Sequence, residues 1–223
     1  MREIDRNPTT PQLSAKAIQL ITELCFRHDD ILKPVDGLFI FSSLVDLQKE
    51  VDLIEKVLQQ GFTKNVFITG GLINKERAGE LGMSEDVIEA DLIPQYLDVN
   101  KYKDINFYYE KQSKNTLENV TESLKNPEFK NCKTLILIFK SHGAGRGYLT
   151  LRKFFPMAEI LQATYDVLYE NQDNVISRNT WPDFEFTKSR VWGEYLRIQK
   201  YASRGDIEYK SVEKLLKQIE TEV

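Results

Sequence analysis

His142 and Arg146 stand four residues apart in KSHGAGRG, directly after an apolar run. Histidine exchanges a proton near neutral pH, and arginine holds a carboxylate or phosphate through a fixed fork of donors. The glycines between them let the chain bend closely around a ligand. The alternative is that both side chains anchor the turn through internal hydrogen bonds. Upstream, Glu110, Ser113, Asn115, Thr116, Glu118 and Asn119 gather carboxylates, hydroxyls and amides ahead of a helix. Asn115 and Glu118 have capping-box spacing and can serve that cap alone, whereas Glu110 can orient His142, accept a ligand hydroxyl or bind a metal through water. Gly70 and Gly71 follow NVFIT and either allow a ligand close to the backbone or form a turn. Ser42 and Ser43 follow VDGLFIF.

Weaker candidates lie outside these stretches. His28 sits at a predicted helix end, where a surface or capping role outweighs catalysis. Glu194 and Arg197 are one helical turn apart, so they can pair with each other or reach back over a crevice. Trp181, Trp192, Phe154 and Phe155 can line a pocket, although packing is the default for such rings. No GxGxxG follows the first strand and no GxxxxGK[ST] occurs, so the usual dinucleotide and P-loop assignments lack a basis. No serine lies in a nucleophile-elbow sequence, and the scattered carboxylates have no metal-ligand spacing.

These residues need a scaffold, and the hydrophobic pattern supplies one. Leu13, Ala17, Leu20, Ile21 and Leu24 recur at helical spacing after a mobile or loosely packed arm over residues 1–11, predicting a helix over 12–28 that packs on the outside of a sheet. Val35–Phe41 reads as a buried strand. Leu47, Val51, Ile54, Val57 and Leu58 form the stripe of a helix ended by Gly61, and NVFIT is the next strand. Strand, helix, strand favours parallel pairing with a right-handed crossover. The stretch LINKERAGELGMS predicts a long loop over the strand ends, followed by a helix capped by Ser84 with Val87, Ile88 and Leu92 inward. INFYY (105–109) is a strand, and a helix from Thr116 to about Leu124 follows. TLILIF (134–139) is apolar on both faces and is expected at the centre of the sheet. A helix holding Leu149, Leu151 and Phe155 comes next, then a short strand over Ala158–Gln162. Beyond Ala163, Val191, Tyr195, Ile198 and Tyr201 mark one helix, and Val212–Ile219 a last one. The expected fold is α/β: a Rossmann-like, open, mainly parallel sheet of about five strands between helices, with extra helices at both termini. The expected organisation is one domain over 1–223, with its core at 35–161 and a mainly helical extension at 164–223. In such a sheet the loops at the carboxyl strand ends converge on a crevice.

The whole-chain balance fits this reading. The 223 residues are 41% hydrophobic and 29% charged, with a net charge of −4, so no general attraction to nucleic acid is expected. MREIDRNPTTPQL lacks the apolar run of a secretory signal, and no segment has 18 continuous apolar residues. A cytoplasmic protein without a membrane span is expected. Cys25 and Cys132 read as inert core thiols.

VDGLFIF, NVFITGG, EKQSKNTLENV and TLILIFKSHGAGRGYLTLRKFFP, in that order, resemble the YdcF-like (DUF218) family of bacterial α/β proteins over residues 35–161. VWGEYLRIQKYASRG is similar to the family's helical ending. The resemblance implies a Rossmann-like domain. Its site would be formed by the Gly70–Gly71 loop, by Ser113, Asn115, Thr116, Glu118 and Asn119, and by His142 with Arg146, with Glu194 as a secondary member. Because one soluble relative is associated with S-adenosylmethionine, it also implies that compound or another nucleoside-containing ligand. The chain departs from the family at FSSLVDLQKEV, which lacks the glycine-rich first loop and its arginine.

Three functional readings follow. As an enzyme, the protein would act on an anionic nucleoside-type or phosphorylated molecule, with His142 as general acid or base, Glu110 or Glu118 orienting it, and Arg146 with the Gly70–Gly71 backbone holding charge. As a binding protein, Arg146 would recognise the anion while Asn115 or Asn119 reads hydroxyl or amide groups. As an interaction protein, the late helices would form a partner surface. A homodimer is compatible with each.

Overall fold

A computed structural model of the chain describes residues 4–73, 78, 79, 82, 87–169 and 172–223. Five strands form one sheet: β1 (Gly37–Phe41), β2 (Asn65–Thr69), β3 (Asn106–Glu110), β4 (Thr134–Lys140) and β5 (Glu159–Tyr165). Their order is β3-β2-β1-β4-β5 and every pairing is parallel, which is the Rossmann-like arrangement. β1, rather than TLILIF in β4, takes the middle position, while β4 is interior beside it. The last strand reaches Tyr165, three residues beyond the expected Gln162.

Alternation along β1 explains why its run is apolar throughout. Leu38 and Ile40 enter one core layer and Phe39 and Phe41 the other, so both faces are covered. The first layer is mostly aliphatic and is closed by α2 (Leu47–Gln59) through Val51, Ile54 and Leu58. The second layer is aromatic. The short helix α5 (Pro127–Lys130) puts Phe129 4.8 Å from Phe39, 5.0 Å from Phe67 and 4.9 Å from Phe155. Each ring or branched side chain buried this way contributes roughly 1.5–3 kcal/mol.

The Asn115 side chain accepts from the Glu118 N–H at 3.0 Å and starts α4 (Thr116–Ser123), as the capping-box spacing predicts. A 3₁₀ turn over Ser141–Gly143 leads from β4 into α6 (Ala144–Phe154). The helix expected after Ser84 does not form over Val87 and Ile88. Ile88 makes a bridge to Leu72, and only a 3₁₀ turn (Glu89–Asp91) and α3 (Ile93–Tyr96) follow. Pro94 and the bridge together leave room for a single turn there. Ser84 itself lies outside the described residues.

The terminal helices depart from expectation in where they pack. α1 (Ala15–Cys25) lies chiefly against α7 (Glu185–Arg204) and α8 (Glu213–Glu222), not on the sheet. Trp181 is fully buried beneath them and its indole N–H donates to Thr22 Oγ1 at 2.8 Å. The arm is fastened too. The Pro8 carbonyl accepts from Ser189 Oγ at 2.8 Å and the Asp5 carbonyl from Arg197 Nη2 at 2.8 Å, so α7 supplies donors that a mobile arm would leave unused. Among the described residues no helix is long and apolar enough to cross a membrane.

Candidate functional site

The strand order reverses at β1, with β2 on one side and β4 on the other, so the loops leaving β1 and β4 diverge at their carboxyl ends. A crevice of about 370 Å³ lies there. Ser42 and Ser43 reach it from β1, Gly71 from β2, Ser113 to Thr116 and Asn119 from the β3–α4 connection, and Lys140 from β4. Arg146 enters from α6, and Arg190, Glu194 and Arg197 from α7.

Arg146 and Glu194 form the centre of this wall. Both are almost fully buried, and Arg146 Nε donates to Glu194 Oε2 at 2.7 Å. Arg146 Nη1 also donates to Thr116 Oγ1, which ties α4 to α6 and α7. Arg197 Nη1 adds a contact to Glu194 Oε1 at 3.4 Å. Burial alone would raise the Glu194 carboxyl, but the two guanidinium groups outweigh it and hold the carboxyl well below the usual carboxylate range. The cluster is charged at neutral pH and, with two arginines on one carboxylate, keeps a positive excess.

Lys140 and Arg190 add to that excess. The Lys140 ammonium lies 5.7 Å from the Phe139 ring centroid. Burial draws its pKa below the ordinary lysine value. Arg190 stacks over the Tyr169 ring at 4.3 Å and donates to its hydroxyl. Behind Tyr169 stands His142, fully buried, with Nε2 3.4 Å from the Tyr169 hydroxyl and Nδ1 without a partner among the described residues. Burial and then nearby Lys140 push its pKa well below the histidine value, so it is neutral. His142 therefore meets Tyr169 and does not line the crevice.

The other predicted residues divide. Ser42, Gly71, Ser113, Asn115, Thr116, Asn119, Arg146 and Glu194 all line the crevice. The hydroxyls of Ser42 and Ser113 are buried there without partners among the described residues. Gly70, Glu110 and Glu118 do not line it. Gly70, at φ +139°, holds the loop by donating to Glu110 O and accepting from Ala90 N. A Cβ on Gly71 would fall 2.2 Å from Ser113 O, so the glycine pair serves loop packing as well as the crevice wall. Glu110 accepts from the N–H groups of Gln112 and Ser113, and Glu118 from the Lys114 N–H and the Asn115 amide. Glu118 uses both oxygens and Glu110 uses Oε1 to shape the β3–α4 turn, while Glu110 Oε2 is buried with no partner among the described residues.

A further buried acid supports the floor. Glu50 is fully buried in the first turn of α2, where Oε2 accepts from the Ser43 N–H at 3.1 Å and Oε1 has no partner among the described residues. The Tyr165 hydroxyl approaches without closing a bond of normal geometry. Burial pushes the Glu50 carboxyl up to about 8. Among the described residues no group of three or more His, Cys, Asp and Glu side chains is placed to hold a metal ion.

Arg190 and Arg6 are the members that sequence reasoning missed. Arg190, Glu194, Arg197 and Tyr201 follow one another at steps of four, three and four, a polar stripe on α7 beside the apolar stripe of Val191, Tyr195 and Ile198. That stripe is readable once sought. Arg6 has no such pattern around it. The chain matches no protein-family model and no curated protein sequence.

Proposed function

We propose that the crevice binds a small anionic molecule, phosphorylated or of nucleotide type. The observation that carries this reading is charge. Arg6, Lys114, Lys140, Arg146, Arg190 and Arg197 line the crevice against two carboxylates among the described residues, Glu89 and Glu194, in a chain whose net charge is −4. A protein that is acidic overall and concentrates cations in one concave site is arranged to attract and hold an anion. The unpartnered hydroxyls of Ser42 and Ser113 suit ligand hydroxyl or phosphate oxygens.

Binding is favoured over turnover because His142 faces Tyr169 while Glu110 and Glu118 shape a turn, leaving no proton-transfer group of that set in the crevice. S-adenosylmethionine, implied by the family resemblance, fits less well, since its net positive charge opposes a cation-rich crevice. Membership of the YdcF-like family rests on the order of its motifs. A cytoplasmic setting agrees with the two free, buried cysteines.

Calorimetric titration with AMP, pyrophosphate and S-adenosylmethionine tests the reading, using the parent and Arg190→Ala. We expect the two phosphate compounds to bind and Arg190→Ala to weaken them on the order of tenfold or more. Binding of S-adenosylmethionine alone, or affinities unchanged by Arg190→Ala, would overturn it.

A further inference from the structure

The arm ahead of α1 is fastened along α7, and its fastening runs through the crevice. Arg197 donates from Nη2 to the Asp5 carbonyl at 2.8 Å and reaches from Nη1 to Glu194 Oε1 at 3.4 Å, so one guanidinium joins the arm to the central ion cluster. Two turns earlier on α7, Ser189 Oγ holds the Pro8 carbonyl at 2.8 Å. Between these anchors stands Gly193. A Cβ there would come within 3.3 Å of Pro8 Cδ and 3.4 Å of Arg6 O, so the helix offers a bare surface on which the arm lies flat. The outcome is that Ile4 and Arg6, nearly two hundred residues from α7 in sequence, line the same crevice as Arg146 and Arg190.

We propose that residues 4–8 act as a strap belonging to the binding site, with Arg6 supplying a cation that closes over the bound anion. The inference rests on the anion-binding reading and extends it. The other cations come from the body of the fold, on α6, α7, β4 and the β3–α4 connection. Arg6 comes from the arm, which is tied to α7 through the Asp5 and Pro8 carbonyls, and local opening of that arm would let a ligand enter. A bound anion would draw Arg6 inward and tighten the strap, because ligand and strap then share a charge-assisted contact.

The test uses the full chain and pyrophosphate as the probe. Calorimetry compares the parent with Arg6→Ala and Arg6→Lys, and mass spectrometry follows tryptic release of residues 1–6 with and without pyrophosphate. We expect Arg6→Ala to weaken pyrophosphate on the order of tenfold, Arg6→Lys to restore part of that loss, and pyrophosphate to slow cleavage after Arg6 in the parent. Equal thermal unfolding midpoints of parent and variants without ligand would assign the loss to binding rather than folding. If the parent binds pyrophosphate and Arg6→Ala binds it equally well, the strap is overturned while the anion site stands. If the parent does not bind it, the anion reading fails and takes the strap with it.

Discussion

Glu194 and Glu50 are both enclosed at the carboxyl end of the sheet, Glu50 on α2, which covers the sheet, and Glu194 on α7, which packs on α1 and α6. Their charge states are opposite. Glu194 meets Arg146 and Arg197 and remains a carboxylate far below its ordinary pKa, whereas Glu50 meets one backbone N–H and is pushed up to about 8. Enclosure sets the cost of a charge, and the partners decide whether that cost is met. The same difference separates the two regions by task. The Glu194 wall can keep several guanidinium groups ready for an anion, while the Glu50 floor holds the β1–α2 loop through a neutral acid.

The comparison breaks first at Glu194. Replacing it with alanine leaves the buried Arg146 and the partly buried Arg197 without their carboxylate, and chemical denaturation should record a loss of about 3–5 kcal/mol. A loss under about 1 kcal/mol would mean that the cluster is solvated. Glu50 gives the next effect, and it depends on pH. Its folded pKa of about 8 lies above the unfolded value near 4.5, so its favourable contribution is full below about 4.5 and is lost as pH rises through about 8. Glu50→Gln cannot ionise, and its stability relative to the parent should climb through that window by up to roughly 1.4 kcal/mol per pH unit. Parallel stability curves for the two proteins between pH 5 and 8 would show that Glu50 is ionised when folded. Glu194 has the reverse sign: its contribution is present above the unfolded pKa and disappears as pH falls through the depressed folded value. The smallest effect belongs to Thr116→Val, which removes one hydroxyl from Arg146 and should cost about 1–2 kcal/mol of stability. A change within measurement error would place that hydrogen bond outside the native cluster.

Regular periodicity made the sheet legible. VDGLFIF, NVFIT, INFYY and TLILIF each became a strand within a residue or two, and the Asn115–Glu118 cap began α4 at the predicted position, because these signals act locally. Strand order did not follow from them. The middle position fell to β1 because the chain crosses β1 to reach β4, a matter of topology and not of apolar content. Residues placed beside strand ends reached the crevice where the turn pointed them outward, as at Ser42, Thr116 and Arg146. His142 was turned away by the 3₁₀ turn that joins β4 to α6, which buries it against Tyr169. Arg190 belongs to a polar stripe on α7 that local spacing does show, whereas Arg6 meets the crevice through an arm docking that no local pattern encodes.

The most direct test of the cation-rich crevice is calorimetric titration of the parent protein with ADP at 50 and 200 mM salt. The account predicts saturable binding of one ADP per chain, weaker at the higher salt because exposed crevice charges are screened. Absence of binding at both salt concentrations, up to millimolar ADP, would contradict it.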